Sequence, residues 1–220
     1  MPKRPESKLD EDWMSTYGDM VTLLLCFFVM MLSVSKFDVA KFEMIQAGFN
    51  ESIGKKEVTR PIEMMMMELA DDIQSMNAEE DIALGSDTQG VVLELTDALT
   101  FAYGSAKIRP EAIPVLKRIA ATLQSERYAA FNFSIEGHTS DEKFSSEQFP
   151  SNWELSSARA SAIASFLEER GIARIRLKVT GLYDNAPKYP NHDAFGEVIP
   201  QNRIKNRRVV IHIEPNFKAM

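Results

Sequence analysis

Residues 13–33 read WMSTYGDMVTLLLCFFVMMLS, a long apolar stretch in a chain of 220 residues. A helix rising 1.5 Å per residue crosses the hydrocarbon core of a bilayer in roughly 20 residues, so this stretch predicts a single membrane span. Asp19 is its anomaly, because an ionised aspartate at mid-membrane costs at least ~2.5 kcal/mol on insertion scales. At helical spacing Ser15, Thr16, Asp19, Thr22, Cys26 and Ser33 share one broad side, while Leu24, Leu25, Phe28 and Met31 populate the other. An intramembrane carboxylate with hydroxyls a turn away suits binding and release of a small cation, or of a proton. Two plainer readings stand beside this one. Lys3, Arg4 and Lys8, the apolar run 20–32 and Ser33-Val34-Ser35 sketch a cleaved signal peptide, although Asp10, Glu11 and Asp12 acidify its start. Alternatively, Asp19 is a tolerated acid that stays protonated and hydrogen-bonds a neighbour.

A formal net charge of -7 offers no basic stripe for nucleic acid. The single cysteine, Cys26, lies in the span, so neither an intrachain disulfide nor a cysteine-based metal site is expected. His138, His192 and His212 are too scattered in sequence to suggest a zinc cluster. Nothing resembles an enzyme's paired carboxylates or a Cys/His couple, so no catalysis and no cofactor is expected beyond a coupling ion, Na+ or H+. Lys3, Arg4 and Lys8 before the span, against Lys36 and Lys41 after it, give a weak positive-inside bias. That bias puts the N-terminus in the cytoplasm and the bulk of the chain outside the inner membrane.

Beyond the span, Phe42, Ile45, Phe49 and Ile53 recur on one face of a short amphipathic helix that Gly54 ends. It is read as lying on lipid headgroups, or as docking on a partner or on its own twin. A polar connector leads to Pro61, which opens a second helix running to about Glu80, with four methionines at 64–67 read as core or dimer contact. Gly85-Ser86-Asp87 marks a boundary. After Gly90 short strands alternate with helices: strands over 91–95, 131–136, 176–180 and 209–214, helices over 110–124 and 153–170. The pattern predicts an α+β chain ending in an α/β sandwich with its helices on one sheet face.

Two stretches then carry a resemblance. The first, Trp13-Met-Ser-Thr-Tyr-Gly-Asp19 through Phe28, resembles the single span of bacterial flagellar stator B subunits, MotB and its sodium-type relative PomB. The second, Glu136-Gly-His-Thr139, then Ser151-Asn-Trp-Glu-Leu155-Ser156-Ser-Ala-Arg159-Ala and Asn206-Arg-Arg-Val, resembles the OmpA-like peptidoglycan-binding domain. The resemblance implies a cytoplasmic tail at 1–12, a transmembrane helix at 13–35, a plug helix and connector at 36–60, a linker helix at 61–87 and an OmpA-like domain at 88–220. It implies that Asp19 carries the coupling ion, with Thr22 beside it, and that Phe42, Ile45, Phe49 and Ile53 belong to a plug that stops leakage. The implied partners are a MotA/PomA-type A subunit, five around two B chains, a second copy of this chain, and peptidoglycan. Thr139, Asp141, Leu155, Ser156 and Arg159 match the wall-binding positions, Arg159 gripping a diaminopimelate carboxylate. Where the family usually places the acid that meets the ligand's ammonium, this chain has Ser140 and then Asp141. Either Asp141 takes over by a shift of the loop, or that contact is weak. Thr22, Cys26 and the LLLCFF run stand closer to the sodium-type spans. A passive wall tether and an energy-coupling subunit of the ExbD or TolR kind remain as other functions.

Overall fold

The computed structural model describes residues 9–34 and 61–216 and divides at Phe37/Asp38 into two compact units. The first holds α1, Leu9–Val34. It starts four residues ahead of the expected span. Its stretch Trp13–Ser33 has a mean hydropathy of 1.7 and buries none of its side chains. Such a helix is about 30 Å long, enough to cross a bilayer. Thr16 and Thr22 turn their hydroxyl protons back onto the carbonyls of Trp13 (2.9 Å) and Asp19 (2.8 Å). The plug positions Phe42, Ile45, Phe49 and Ile53 lie outside the described residues.

The second unit opens with α2, Pro61–Ser75. This helix stops short of the expected Glu80 for a local reason. Asn77 takes the left-handed conformation at φ 51°, the Ala78 N–H reaches back to the Ile73 carbonyl and the Asn77 N–H to that of Gln74. This is a Schellman ending with asparagine where glycine is usual, sealed by burial of both Ala78 and Ile73. The next residues, expected as linker, form β1, Ile82–Ser86, which pairs antiparallel with β2, Val91–Thr96. Then come α3, Asp97–Thr100; a 3₁₀ turn at Pro110–Ala112 running into α4, Ile113–Gln124; and β3, Phe131–His138. The chain continues through α5, Asn152–Glu169; β4, Leu177–Tyr183; α6, Pro200–Asn206; and β5, Arg208–Pro215.

The sheet order is β1-β2-β5-β3-β4, antiparallel except for the β3–β4 pair that α5 connects. Period-two alternation decides its faces. Val91, Leu93, Leu95, Phe131, Phe133, Ile135, Val209, Ile211 and Ile213 are buried in the core, where α2, α4 and α5 pack, while Glu94, Ser134, Glu136 and His212 are only half-buried. The helices therefore cover one face, as the pattern predicts. Helix α2 belongs to this core: Ile62, Met65, Leu69 and Ile73 are buried, and Met65 alone of the four methionines is fully so, while Met67 stays exposed. Its buried Asp72 takes hydrogen bonds from Arg118 Nε (2.6 Å) and Thr122 Oγ1 (2.5 Å) of α4. Glu68 accepts from the Tyr128 hydroxyl at 2.9 Å, and burial with that neighbouring carboxylate pushes the phenol up to about 12.

The uncovered face carries a trough of about 450 Å3 lined by Glu136, His138, Arg208 and His212 among others. Burial, with help from the Arg208 cation, lowers the His138 pKa to about 4, against the opposing pull of Glu136. Its imidazole is thus kept neutral when folded and protonates more readily in the unfolded chain. Stability then falls as pH drops from about 6.5 to about 4, by at most roughly 1.4 kcal/mol per pH unit from this group. Urea titrations of the full chain in detergent across that window should show a steeper loss for wild type than for His138→Gln. Equal slopes would remove His138 from the account.

Candidate functional site

A second pocket forms where β3 ends, and four separate parts of the chain build it. The residues after β3 supply Thr139, Ser140, Glu142 and Phe144; α5 supplies Asn152, Leu155 and Arg159; Asp97 opens α3; Arg207 precedes β5. Glycine is required where β3 backs onto α5, because a Cβ on Gly137 would lie 2.0 Å from the Ser156 carbonyl oxygen. Helix α5 is started by Ser151, whose hydroxyl accepts from the Trp153 N–H at 3.2 Å, and this cap sets Asn152 and Leu155 in the first turn against β3.

Arg159 is the buried charge of the site, 3% exposed. Its Nε donates to the Ser105 carbonyl (2.9 Å), Nη2 to the Ala102 carbonyl (3.4 Å), and Nη1 lies 3.0 Å from Asp97 Oδ1. The Phe101 ring stacks 5.3 Å from its guanidinium carbon. Three of five N–H groups are therefore committed, leaving two for a ligand. Burial raises the Asp97 pKa against the pull of Arg159 and Arg207, and burial likewise lowers that of Arg159. Such a pair fixes geometry more than it adds stability.

The remaining positions expected to touch the wall divide sharply. Thr139 and Leu155 line the pocket beside Arg159, and the Thr139 hydroxyl is buried with no hydrogen-bond partner. An unsatisfied buried hydroxyl in a pocket wall points to a ligand or water. Ser156 does not line it: its hydroxyl is fully buried, donating to the Trp153 carbonyl (3.1 Å) and accepting from the Tyr183 N–H (3.4 Å). Asp141 is absent from the lining too. Arg203 grips it with two bonds of 2.7 Å, which holds its carboxyl below the usual range. The loop presents Glu142 to the pocket instead, half exposed and 3.8 Å from Arg207. Sequence reading missed Asp97, Glu142, Phe144 and Arg207 as site residues. Arg207 lay inside the noted Asn206-Arg-Arg-Val run, whereas nothing local marks the others.

The pocket is narrow. Its free volume is about 20 Å3, room for about one water. The Phe144 ring sits against Gly104, whose φ of 65° also favours glycine, and meets Tyr103 edge to face at 5.7 Å. Asp19 and Thr22 belong to the other unit. There the Thr22 proton is spent on the Asp19 carbonyl, so lone pairs are what this hydroxyl presents to a cation. Among the described residues, no three His, Cys, Asp or Glu side chains converge as metal ligands.

Comparison with known proteins joins the two units. Residues 2–53 match the family model described as membrane MotB of the proton-channel complex MotA/MotB, and residues 100–203 match the OmpA family. The chain is 32% identical to the uncharacterized protein YtxE of Bacillus subtilis, over 94% of this chain and 90% of that one. It is 27% identical to Motility protein B of the same organism, over 99% and 95%. A crystal structure of a MotB-like protein from Desulfovibrio vulgaris superposes with a TM-score of 0.61 at 27% identity, covering 70% of this chain and 93% of that one. One apolar N-terminal helix bearing Asp19, followed by an OmpA-type sheet domain in that order, places this chain in the MotB family, which is not a family of enzymes.

Proposed function

We propose that the chain is the B subunit of a flagellar stator, passing H+ or Na+ by way of Asp19 while its sheet domain holds peptidoglycan. The observation that carries the reading is an acid in an otherwise lipid-like helix, on a chain whose other end is a wall-binding fold. A lone helix cannot solvate Asp19, so an A subunit of the MotA kind must line a wet cavity around it. Changing the charge on Asp19 alters its contacts with that partner, which is the differential interaction needed to bias two packings. On this reading the N-terminus is cytoplasmic and residues 61–216 are periplasmic. Two copies of the chain pair within the stator, and 36–60 hold the plug.

In the wall site, Arg159 keeps two donors for a carboxylate, Thr139 an unspent hydroxyl, and Glu142 replaces Asp141 as the acid that reaches the ligand's ammonium. Glu142→Gln should weaken binding of a diaminopimelate-containing stem peptide about tenfold, while Asp141→Asn should not, apart from any loss of folding. The reverse order would return the role to Asp141.

Swimming tests the whole reading. In a strain lacking its own stator B subunit, this chain with its A subunit should restore motility, and speed across a sodium series at fixed proton-motive force names the ion. Membrane-inserted, wall-attached protein with no restored motility would leave a passive tether.

A further inference from the structure

Beside the pocket, Trp153 and Tyr183 form a stacked pair, ring centroids 5.5 Å apart and planes within 22°. Trp153 is nevertheless 48% exposed. Tyr183 is held at φ 55°, in the left-handed region that a bulky side chain seldom adopts. The pairing of β3 with β4 slips there: Gly137 faces Gly181 while His138 faces Tyr183, so Leu182 is an extra residue, a bulge that re-aims the tyrosine. The Tyr183 backbone is tied down on both sides. The Tyr183 carbonyl accepts from the Thr139 N–H at 2.8 Å, and the Ser156 hydroxyl bridges the Tyr183 N–H and the Trp153 carbonyl. Gly181 permits this approach, since a Cβ there would lie 2.1 Å from Ser157 Oγ. Strain of this kind persists only where the surroundings over-determine it, and it gathers at functional sites.

We propose that this pair is a saccharide subsite: a flat aromatic platform on which one sugar ring of a wall glycan strand stacks its C–H face. The proposal rests on the wall-binding reading above. Platform and pocket are contiguous, because Thr139 lines the pocket and bonds Tyr183, and Asn152, also in the lining, directly precedes Trp153. A wall fragment carries both a peptide and a sugar chain, and the two sites offer the matching chemistries: ionic and hydroxyl groups in one, a π surface in the other. A pyranose alternates an apolar C–H face with a rim of hydroxyls. Next to Trp153 in the chain, Glu154 is exposed and Ser151 half-buried, so polar groups are available beside the platform.

The chain has two tryptophans, so full-length Trp13→Phe in detergent leaves Trp153 as the sole indole reporter. Peptide-free glycan strands should shift its emission to the blue, saturably. Trp153→Ala should weaken strand binding about tenfold or more, Trp153→Phe should retain most of it, and stem-peptide binding should stay within about twofold in both. Strand binding by Trp153→Ala equal to wild type, or no emission change in Trp13→Phe protein that still binds stem peptide and whole walls, overturns the platform alone. Failure of the wild type to bind strands, stem peptide and walls overturns the wall reading with it.

Discussion

Cells whose only copy of this chain carries Asp19→Asn will not swim, although the protein reaches the membrane in wild-type amount and still sediments with cell walls. The substitution keeps size and hydrogen-bonding shape and removes the ability to carry charge or exchange a proton. Insertion should if anything improve, since an ionised acid in the span costs ~2.5–3.5 kcal/mol. All side chains from Trp13 to Ser33 are exposed on α1, so no packing among the described residues is lost. What disappears is the coupled step, each charge of which draws about 2.3 kcal/mol per 100 mV of membrane potential. Asp19→Glu, keeping the carboxylate one methylene further out, should recover part of the speed. Normal swimming by Asp19→Asn would end the motor reading.

Asp97→Ala should cost the sheet domain about 3–5 kcal/mol, because it strands the Arg159 charge in the core without its counter-ion. For a domain of this size that is a drop in melting temperature on the order of 10 °C, readable by circular dichroism of the full chain in detergent. The partner experiment distinguishes a placed charge from a stabilising one. Asp97→Leu combined with Arg159→Met should cost far less than the sum of the single changes, since burial already opposes both ionised forms. That double variant should nonetheless bind no stem peptide. Additive losses would show that the two charges act independently and do not rely on each other.

The span, the two long helices of the sheet domain and four of its five strands were legible because each writes a repeat into consecutive residues. β3 alternates Phe131, Phe133 and Ile135 inward, and α4 buries Leu116, Ile119 and Leu123 on one stripe. β1 was not legible: Ile82–Ser86 is short, contains Gly85 and is an edge, and its helix-stop signal was Asn77 rather than a glycine. The site was half legible. Thr139, Leu155 and Arg159 stood in motifs, whereas Asp97 reaches the pocket only through pairing of distant segments, which no local period records, and Glu142 lies just past the quoted motif. Proximity in sequence to Thr139 does not choose between Asp141 and Glu142; what holds Asp141 outside the pocket lining is Arg203, more than sixty residues away.

The seating of α2 in the core bears on how the chain carries load. On the proposed stator reading, recoil is handed to the wall, and within residues 61–216 that tension enters at Pro61, the first residue of α2. A helix lying on the surface would peel away turn by turn. Helix α2 is instead cross-pinned to α4 by Asp72 and through Glu68 to Arg127 and Tyr128, so pulling must shear several polar contacts together with four buried apolar side chains. On the proposed reading this helix is the domain's mechanical coupling, a bolt rather than a tether.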